Sequence, residues 1–183
     1  MTNDPATDEG PADWQALPTT ACTGGQVTVL DAGPASPYPS TCSIPATPGS
    51  IADVNVQLNR FSHTYPDDLD LLLVAPNGDN AIFMSDAGGS ADKANCPLSI
   101  DDEAGTALPD WAGLACPGSY KPANYGSGDP FPAPGAGAER GRQPLHLRRR
   151  RAHRHWSLYV VDDQAQDTGR IASWRLTITI VPP

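Results

Sequence analysis

The hydrophobic and polar positions of this chain alternate in short runs rather than in helical stripes. The clearest run sets Val54, Val56 and Leu58 between Asp53, Asn55, Gln57 and Asn59, a period of two that gives a strand one dry and one wet face. Trp156, Leu158 and Val160 alternate in the same way, as do Trp174, Leu176, Ile178 and Ile180, with Asp162-Asp163 to Thr168-Gly169 as the connection. Residues 69–74 are apolar at all positions but Asp70 and predict a more deeply buried strand. Pro76-Asn77-Gly78 ends it, and because an Asn-Gly pair can take the positive φ of a tight hairpin, residues 81–84 become its return partner. Residues 26–30 predict a further strand, followed by Gly33 to Pro39, where the prolines forbid regular pairing. Each dry face needs a second sheet. The expected fold is therefore an all-β antiparallel sandwich, with a galactose-binding-like jelly roll of about eight strands and long Pro/Gly-rich loops as its variant.

Composition narrows this to one domain. A chain of 183 residues suits a single sandwich, and 20 prolines with 17 glycines leave little room for long helices. Residues 1–21 are acidic, rich in Pro, Thr and Ala, and aperiodic, which predicts a disordered tail or linker before a domain over 22–183. The first fourteen residues have neither a basic start nor an apolar stretch, and no window approaches a membrane span, so neither a signal peptide nor an anchor is visible.

Cys22, Cys42, Cys96 and Cys116 form an even set whose sequence-adjacent members are twenty positions apart, a spacing that suits two disulfides closing loops. Buried thiols are the alternative, and zinc lacks any CxxC pair. Oxidised cysteines place the chain outside the cytosol, and with no export signal in view this implies that Met1 is not the original start.

Charge is split by position. Seven of the twelve basic residues fall between Arg140 and Arg154, leaving five against 21 acidic ones elsewhere. That balance repels polyphosphate and attracts divalent cations. It also weakens a nucleic-acid reading of the Arg-rich block, which has no interleaved aromatics for base stacking. His146, His153 and His155 sit among arginines and are a poor place to gather a metal dication.

Two stretches go beyond composition. His63-Thr64-Tyr65, then Asp68-Leu69-Asp70 leading into Val74-Ala75-Pro76-Asn77-Gly78, resembles a strand pair of the P domain, or P/Homo B domain, of kexin-like proprotein convertases. Trp156-Ser157-Leu158-Tyr159-Val160-Val161-Asp162, then Asp167-Thr168-Gly169 and Ser173-Trp174-Arg175-Leu176-Thr177-Ile178, resembles that domain's closing segment. The two halves occur in the right order and span residues 25–181. The resemblance implies an eight-stranded jelly roll without catalytic residues of its own, which sits beside a subtilisin-like catalytic domain and supports its folding and calcium dependence. Ser85 to Gly89 and the Pro/Gly-rich excursion from Lys121 to Gly137 are closer to bacterial variants, which end secreted proteases or belong to other extracellular proteins.

The residues themselves support no serine-protease site. Gly118-Ser119 and Gly126-Ser127-Gly128 lie in loops without a nucleophile-elbow context, and His63 falls at the position of a structural histidine in the resembled family. The carboxylates are better candidates, because calcium takes about six to eight oxygens. Asp67, Asp68 and Asp70 stand at one strand start, Asp86 follows another strand, and Asp162, Asp163 and Asp167 form a loop. If the sheets bring these strand ends together, Asp68, Asp70, Asp86, Asp162, Asp163 and Asp167 are the expected calcium ligands. A solvated acidic rim is the other reading, and Asp101-Asp102-Glu103 is read as one such loop. Trp156 and Trp174 open alternating strands and are expected in the core. Trp111, between the last two cysteines, is the better exposed contact.

Residues 138–155 fit none of this. The resembled family has a short strand and a polar loop here. Back-translating Glu139 to His155 and reading one base later can yield Ser-Gly-Ala-Gly-Ser-Arg-Ser-Thr-Phe-Asp-Gly-Val-Glu-Pro-Thr-Gly-Thr, an ordinary strand and loop. The block is therefore read as a frameshifted segment between two compensating single-base insertions or deletions, one before Arg140 and one just before Trp156.

The expectation from sequence is a secreted, non-enzymatic accessory module whose partner is a subtilisin-like catalytic domain or another extracellular domain, with no nucleic acid and no membrane span, and with calcium as cofactor. A free-standing adhesion or carbohydrate-binding sandwich is the alternative.

Overall fold

The computed structural model describes residues 16–126, 128–135 and 154–183. In chain order its strands are β1 (Thr19–Gly24), β2 (Val27–Val29), β3 (Gly33–Pro34), β4 (Ser40–Ile44), β5 (Ser50–His63), β6 (Leu69–Val74), β7 (Asn80–Ser85), β8 (Lys93–Ile100), β9 (Gly118–Tyr120), β10 (Ala123–Asn124), β11 (Arg154–Asp162), β12 (Gly169–Ile171) and β13 (Ser173–Val181). Eight of these are five residues or longer. One turn of 3-10 helix, Pro66–Asp68, separates β5 from β6, and no helix among the described residues is long and apolar enough to cross a membrane.

The chain is an all-β sandwich of two mixed sheets. In the first, β5 is the spine. It pairs antiparallel with β13 along most of its length and with β12 at Ser62 and His63, while its other edge carries β8. Beyond these lie β1 on β13, β2 on β12 and β9 on β8. The second sheet runs β10, β7, β6, β11, with β4 and β3 sharing the far edge of β11. Two pairs, β8 with β9 and β10 with β7, are parallel.

The period-two runs bury the faces expected of them. Val54, Val56 and Leu58 point inward from β5, and Trp174, Leu176 and Ile178 do so from β13, opposite Leu71, Leu73, Phe83, Trp156 and Leu158 of the second sheet. Each such side chain contributes about 1.5–3 kcal/mol when fully buried. Trp156 and Trp174 are both fully buried. The Trp174 Nε1–H donates to Ser40 Oγ at 2.9 Å, and Gly24 supplies the gap in β1 into which that indole packs, since any Cβ there would collide with the ring. Disulfides join Cys22 to Cys42, bridging β1 and β4 of opposite sheets, and Cys96 to Cys116, closing the loop that holds Trp111.

Three local expectations change. The segment read as a tail over 1–21 contains the start of β1 at Thr19, which is anchored by pairing with β13; residues 1–15 lie outside the description. Gly33-Pro34 does pair, as a two-residue edge piece on Asp162 and Val161, because an edge position spares proline the need for an amide donor. The β6–β7 turn places only Gly78 at positive φ, 89°, and is closed by Gly78 N–H donating to the Ala75 carbonyl at 2.9 Å. The Arg-rich segment over 138–155 lies outside the described residues except for Arg154 and His155, which open β11 opposite Ile44 and Ser43.

β6 is buried on both faces, as its apolar run suggests, but the second cover is a loop. On the outer side of this sheet Leu72, Ile82, Tyr159 and Val161 pack with Phe131 into a separate cluster. Phe131 belongs to residues 128–135, part of the Pro/Gly-rich excursion.

Candidate metal centre

The topology gathers acidic side chains at one end of the second sheet. The start of β6, the end of β7 and the end of β11 are adjacent in register, with Leu69 opposite Asp162, Asp70 opposite Val161, and Leu71 opposite Met84. Asp70 lies between two partner strands and is 2% exposed. Its Oδ1 accepts a 2.7 Å hydrogen bond from the Ser85 hydroxyl, while its Oδ2 has no hydrogen-bond partner among the described residues. Asp86, the residue after β7, adopts φ 47°, a left-handed conformation that Asp tolerates better than most residues, and this turn sets its carboxylate beside that of Asp70. Asp129 completes the group: one carboxylate oxygen from each of Asp70, Asp86 and Asp129 lies within 4.8 Å of the others.

Gly126 makes the approach possible. It has φ 64°, and a Cβ built on it would sit 2.7 Å from Asp86 Oδ2, so the chain passes over the Asp86 carboxylate only without a side chain.

These carboxylates stand in one another's fields. Burial and then the neighbouring Asp129, Asp163 and Asp86 hold the Asp70 carboxyl up at about 7, against the lowering effect of the Ser85 hydrogen bond. Asp86 and Asp163 are raised as well, by burial first and then by Asp129. Removing charge from water and placing like charges together both favour the protonated form, and both effects reverse when a cation enters. An almost fully buried carboxylate with an unpartnered oxygen, facing two further carboxylates, fits a hard divalent cation.

The other sequence candidates lie around this triad in different states. Asp162 pairs with His63: Nε2 to Oδ2 is 3.1 Å with both side chains wholly buried, and the Gln164 N–H donates to Asp162 Oδ1 at 3.1 Å. Burial raises the Asp162 carboxyl despite these two partners. The second ring nitrogen of His63 lies 2.8 Å from the Tyr65 carbonyl, and Gly169 allows β12 to close on this ring, because a Cβ there would strike His63. Asp167 accepts from Thr64 Oγ1 at 2.7 Å. Asp68 is pushed up to about 7 by burial and by Asp162, Asp167, Asp163 and Asp67; its carbonyl accepts from the Asp163 N–H at 3.0 Å.

Asp129 was not among the sequence candidates. It is the lone acid between Asp110 and Glu139, but nothing in the local pattern ties it to the strand ends. Asp102 and Glu103, read as a solvated loop, meet Asp53 in a second carboxylate group. There Asp53 already accepts from the Val54 N–H and the Asn55 amide.

Trp111 is 82% exposed. Its loop leans on the turn that carries Asp86: Gly88 N–H donates to the Pro109 carbonyl at 2.8 Å, and a Cβ on Gly89 would lie 2.6 Å from the Trp111 carbonyl.

No family model and no curated protein sequence matches the chain. Among solved structures it is similar to the serine protease of Aeromonas sobria, with a TM-score of 0.42 and 12% identity, over 90% of this chain and 27% of that one. It is also similar to the complex of the Aeromonas sobria serine protease with its chaperone, with a TM-score of 0.42 and 11% identity, over 92% of this chain and 28% of that one. The chain thus spans little more than a quarter of the length of the chains it matches.

Proposed function

We propose that this chain is a non-catalytic accessory sandwich of the P/Homo B type, joined in a secreted protein to a subtilisin-like catalytic domain, and that it holds calcium at the acidic end of its second sheet. The observation that carries the cation half of this reading is the Asp70, Asp86 and Asp129 group with the unpartnered Asp70 Oδ2 at its base. Asp163, which shares the same field, borders the group, and Asp68 and Asp167 extend it into an acidic rim, while Asp162 is held in the interior by His63. Bound calcium supplies positive charge that offsets the mutual repulsion of these carboxylates.

The accessory half is supported by how the two motif stretches meet. His63 comes from the first and Asp162 from the second, and their buried pair joins β5 to β11. Both ring nitrogens of His63 have partners inside the protein, which suits a structural histidine rather than a general base.

The test of the accessory role is fusion behind a subtilisin-like catalytic domain that lacks such a module. The expected result is a higher yield of folded protease in calcium, lost in the Asp70→Ala fusion. Peptidase activity from the purified chain alone, abolished by His63→Ala, contradicts the reading.

The exposure of Trp111 favours a second reading, a carbohydrate-binding or adhesion module that uses the indole face. Glycan binding abolished by Trp111→Ala selects it.

A further inference from the structure

Asp70, Asp86 and Asp129 are not equally anchored. Asp70 is inside the sheet and Asp86 follows directly from β7, but Asp129 belongs to residues 128–135, which form no strand. The reason is in the sequence: Asp129-Pro130-Phe131-Pro132-Ala133-Pro134-Gly135. In an extended chain alternate amides point to the same side, and proline at every second position removes every donor from that side. The segment makes no strand pairing, and the contacts that hold it to the sheet come from side chains.

Its apolar fastening is Phe131, packed with Leu72, Ile82, Tyr159 and Val161. Two tyrosines add hydrogen bonds from below: Tyr38 donates to the Pro132 carbonyl at 3.0 Å and Tyr159 to the Pro134 carbonyl at 3.2 Å. These two rings meet edge to face, with centroids 4.9 Å apart. At the other end the segment contributes only Asp129, placed against two carboxylates of like charge. Without a cation, repulsion acts on the member of the triad that neither lies in a strand nor adjoins one.

Resting on the cation reading above, we propose that a divalent cation shared by Asp70, Asp86 and Asp129 is the fastener of the 128–135 strap, and that its removal releases the strap from the outer face of the second sheet. The cation then regulates access to an apolar surface of Leu72, Ile82, Tyr159 and Val161.

The test uses the full chain with calcium or EGTA. Calorimetry reads binding, and nuclear Overhauser contacts from the Phe131 ring to the Leu72, Ile82 and Val161 methyls read the strap. The expected result is saturable calcium binding, with contacts present in calcium and lost in EGTA. Because coupling acts in both directions, Phe131→Ala, which touches no carboxylate, weakens calcium binding by roughly tenfold. Where that variant does not fold, Tyr38→Phe removes only one hydroxyl bond and gives a smaller loss of the same sign. Contacts that persist in EGTA, or calcium affinity unchanged in the strap variants, overturn the fastening and leave the cation site standing. No calcium binding at all removes both.

Discussion

His63 and Asp162 lie 99 positions apart in the chain and 3.1 Å apart in the interior, where neither side chain reaches solvent. A pair this deep gives little net stability when intact, but removal of one partner leaves the other buried and unsatisfied, at a cost of about 3–5 kcal/mol. His63→Ala and Asp162→Ala are each expected to lose stability in that range by urea denaturation. Asp162→Asn keeps an acceptor for the ring and should lose less. Equal losses for Ala and Asn at position 162 contradict the role given to this bond.

Gly126 offers a second check. Gly126→Ala brings a methyl group to 2.7 Å from Asp86 Oδ2 at φ 64°. The calcium-free protein should lose about 1 kcal/mol or somewhat more from the backbone conformation alone. Calcium affinity should fall as well, because the Asp86 carboxylate has to move. A variant with lowered melting temperature and unchanged calcium affinity places the cation elsewhere.

The pH dependence of the calcium-free protein has a defined sign. Asp68 and Asp70 titrate near 7 when folded, well above the ordinary 3.8. The folded chain therefore holds these protons more tightly than the unfolded chain, and the stabilisation is complete below about 3.8 and lost as pH rises through about 7. In EGTA the melting temperature should decline between about pH 5 and pH 8, while calcium affinity rises over the same window as protons leave the ligands. A melting temperature that climbs through this interval in EGTA contradicts the repulsion described for the acidic end.

How legible was this molecule in its sequence? The central strands were, because β5 and β13 bury one face each and so leave a period of two, while β11, covered on both faces, still alternates Trp156, Leu158 and Val160 toward the core. β8 was not. Lys93-Ala94-Asn95-Cys96-Pro97 breaks the alternation, and although Leu98 to Ile100 pair regularly with β5, the register shifts on either side of Cys96, with Asn95 at φ 52° and its amide oxygen accepting from Arg60 Nε at 3.3 Å. β1 was missed because Thr, Ala and Gly give no hydrophobic pattern; its place depends on β13 and a disulfide. At the acidic end Asp70 and Asp86 were legible as carboxylates at strand termini. Asp129 was not, since its position comes from a Pro-rich loop crossing the sheet, a relationship that no local periodicity encodes.

The Arg-rich stretch yields a prediction at the level of the gene. A chain with the frame restored between Glu139 and Trp156 should melt higher than this one, because the restored segment reads as the strand and polar loop that the resembled family has at this place, and a paired strand satisfies backbone groups along a sheet edge. Resequencing that returns the same frame throughout, or no gain in melting temperature on restoration, removes the frameshift reading.

The most direct test of the central claim is calorimetric melting of the full chain in EGTA and in millimolar calcium, with Asp86→Asn alongside. A cation that binds only the folded state at about 100 times its dissociation constant adds roughly 2.7 kcal/mol, so the melting temperature of the natural chain should rise by several degrees in calcium and that of Asp86→Asn by much less. Identical melting of the natural chain in both solutions contradicts the claim.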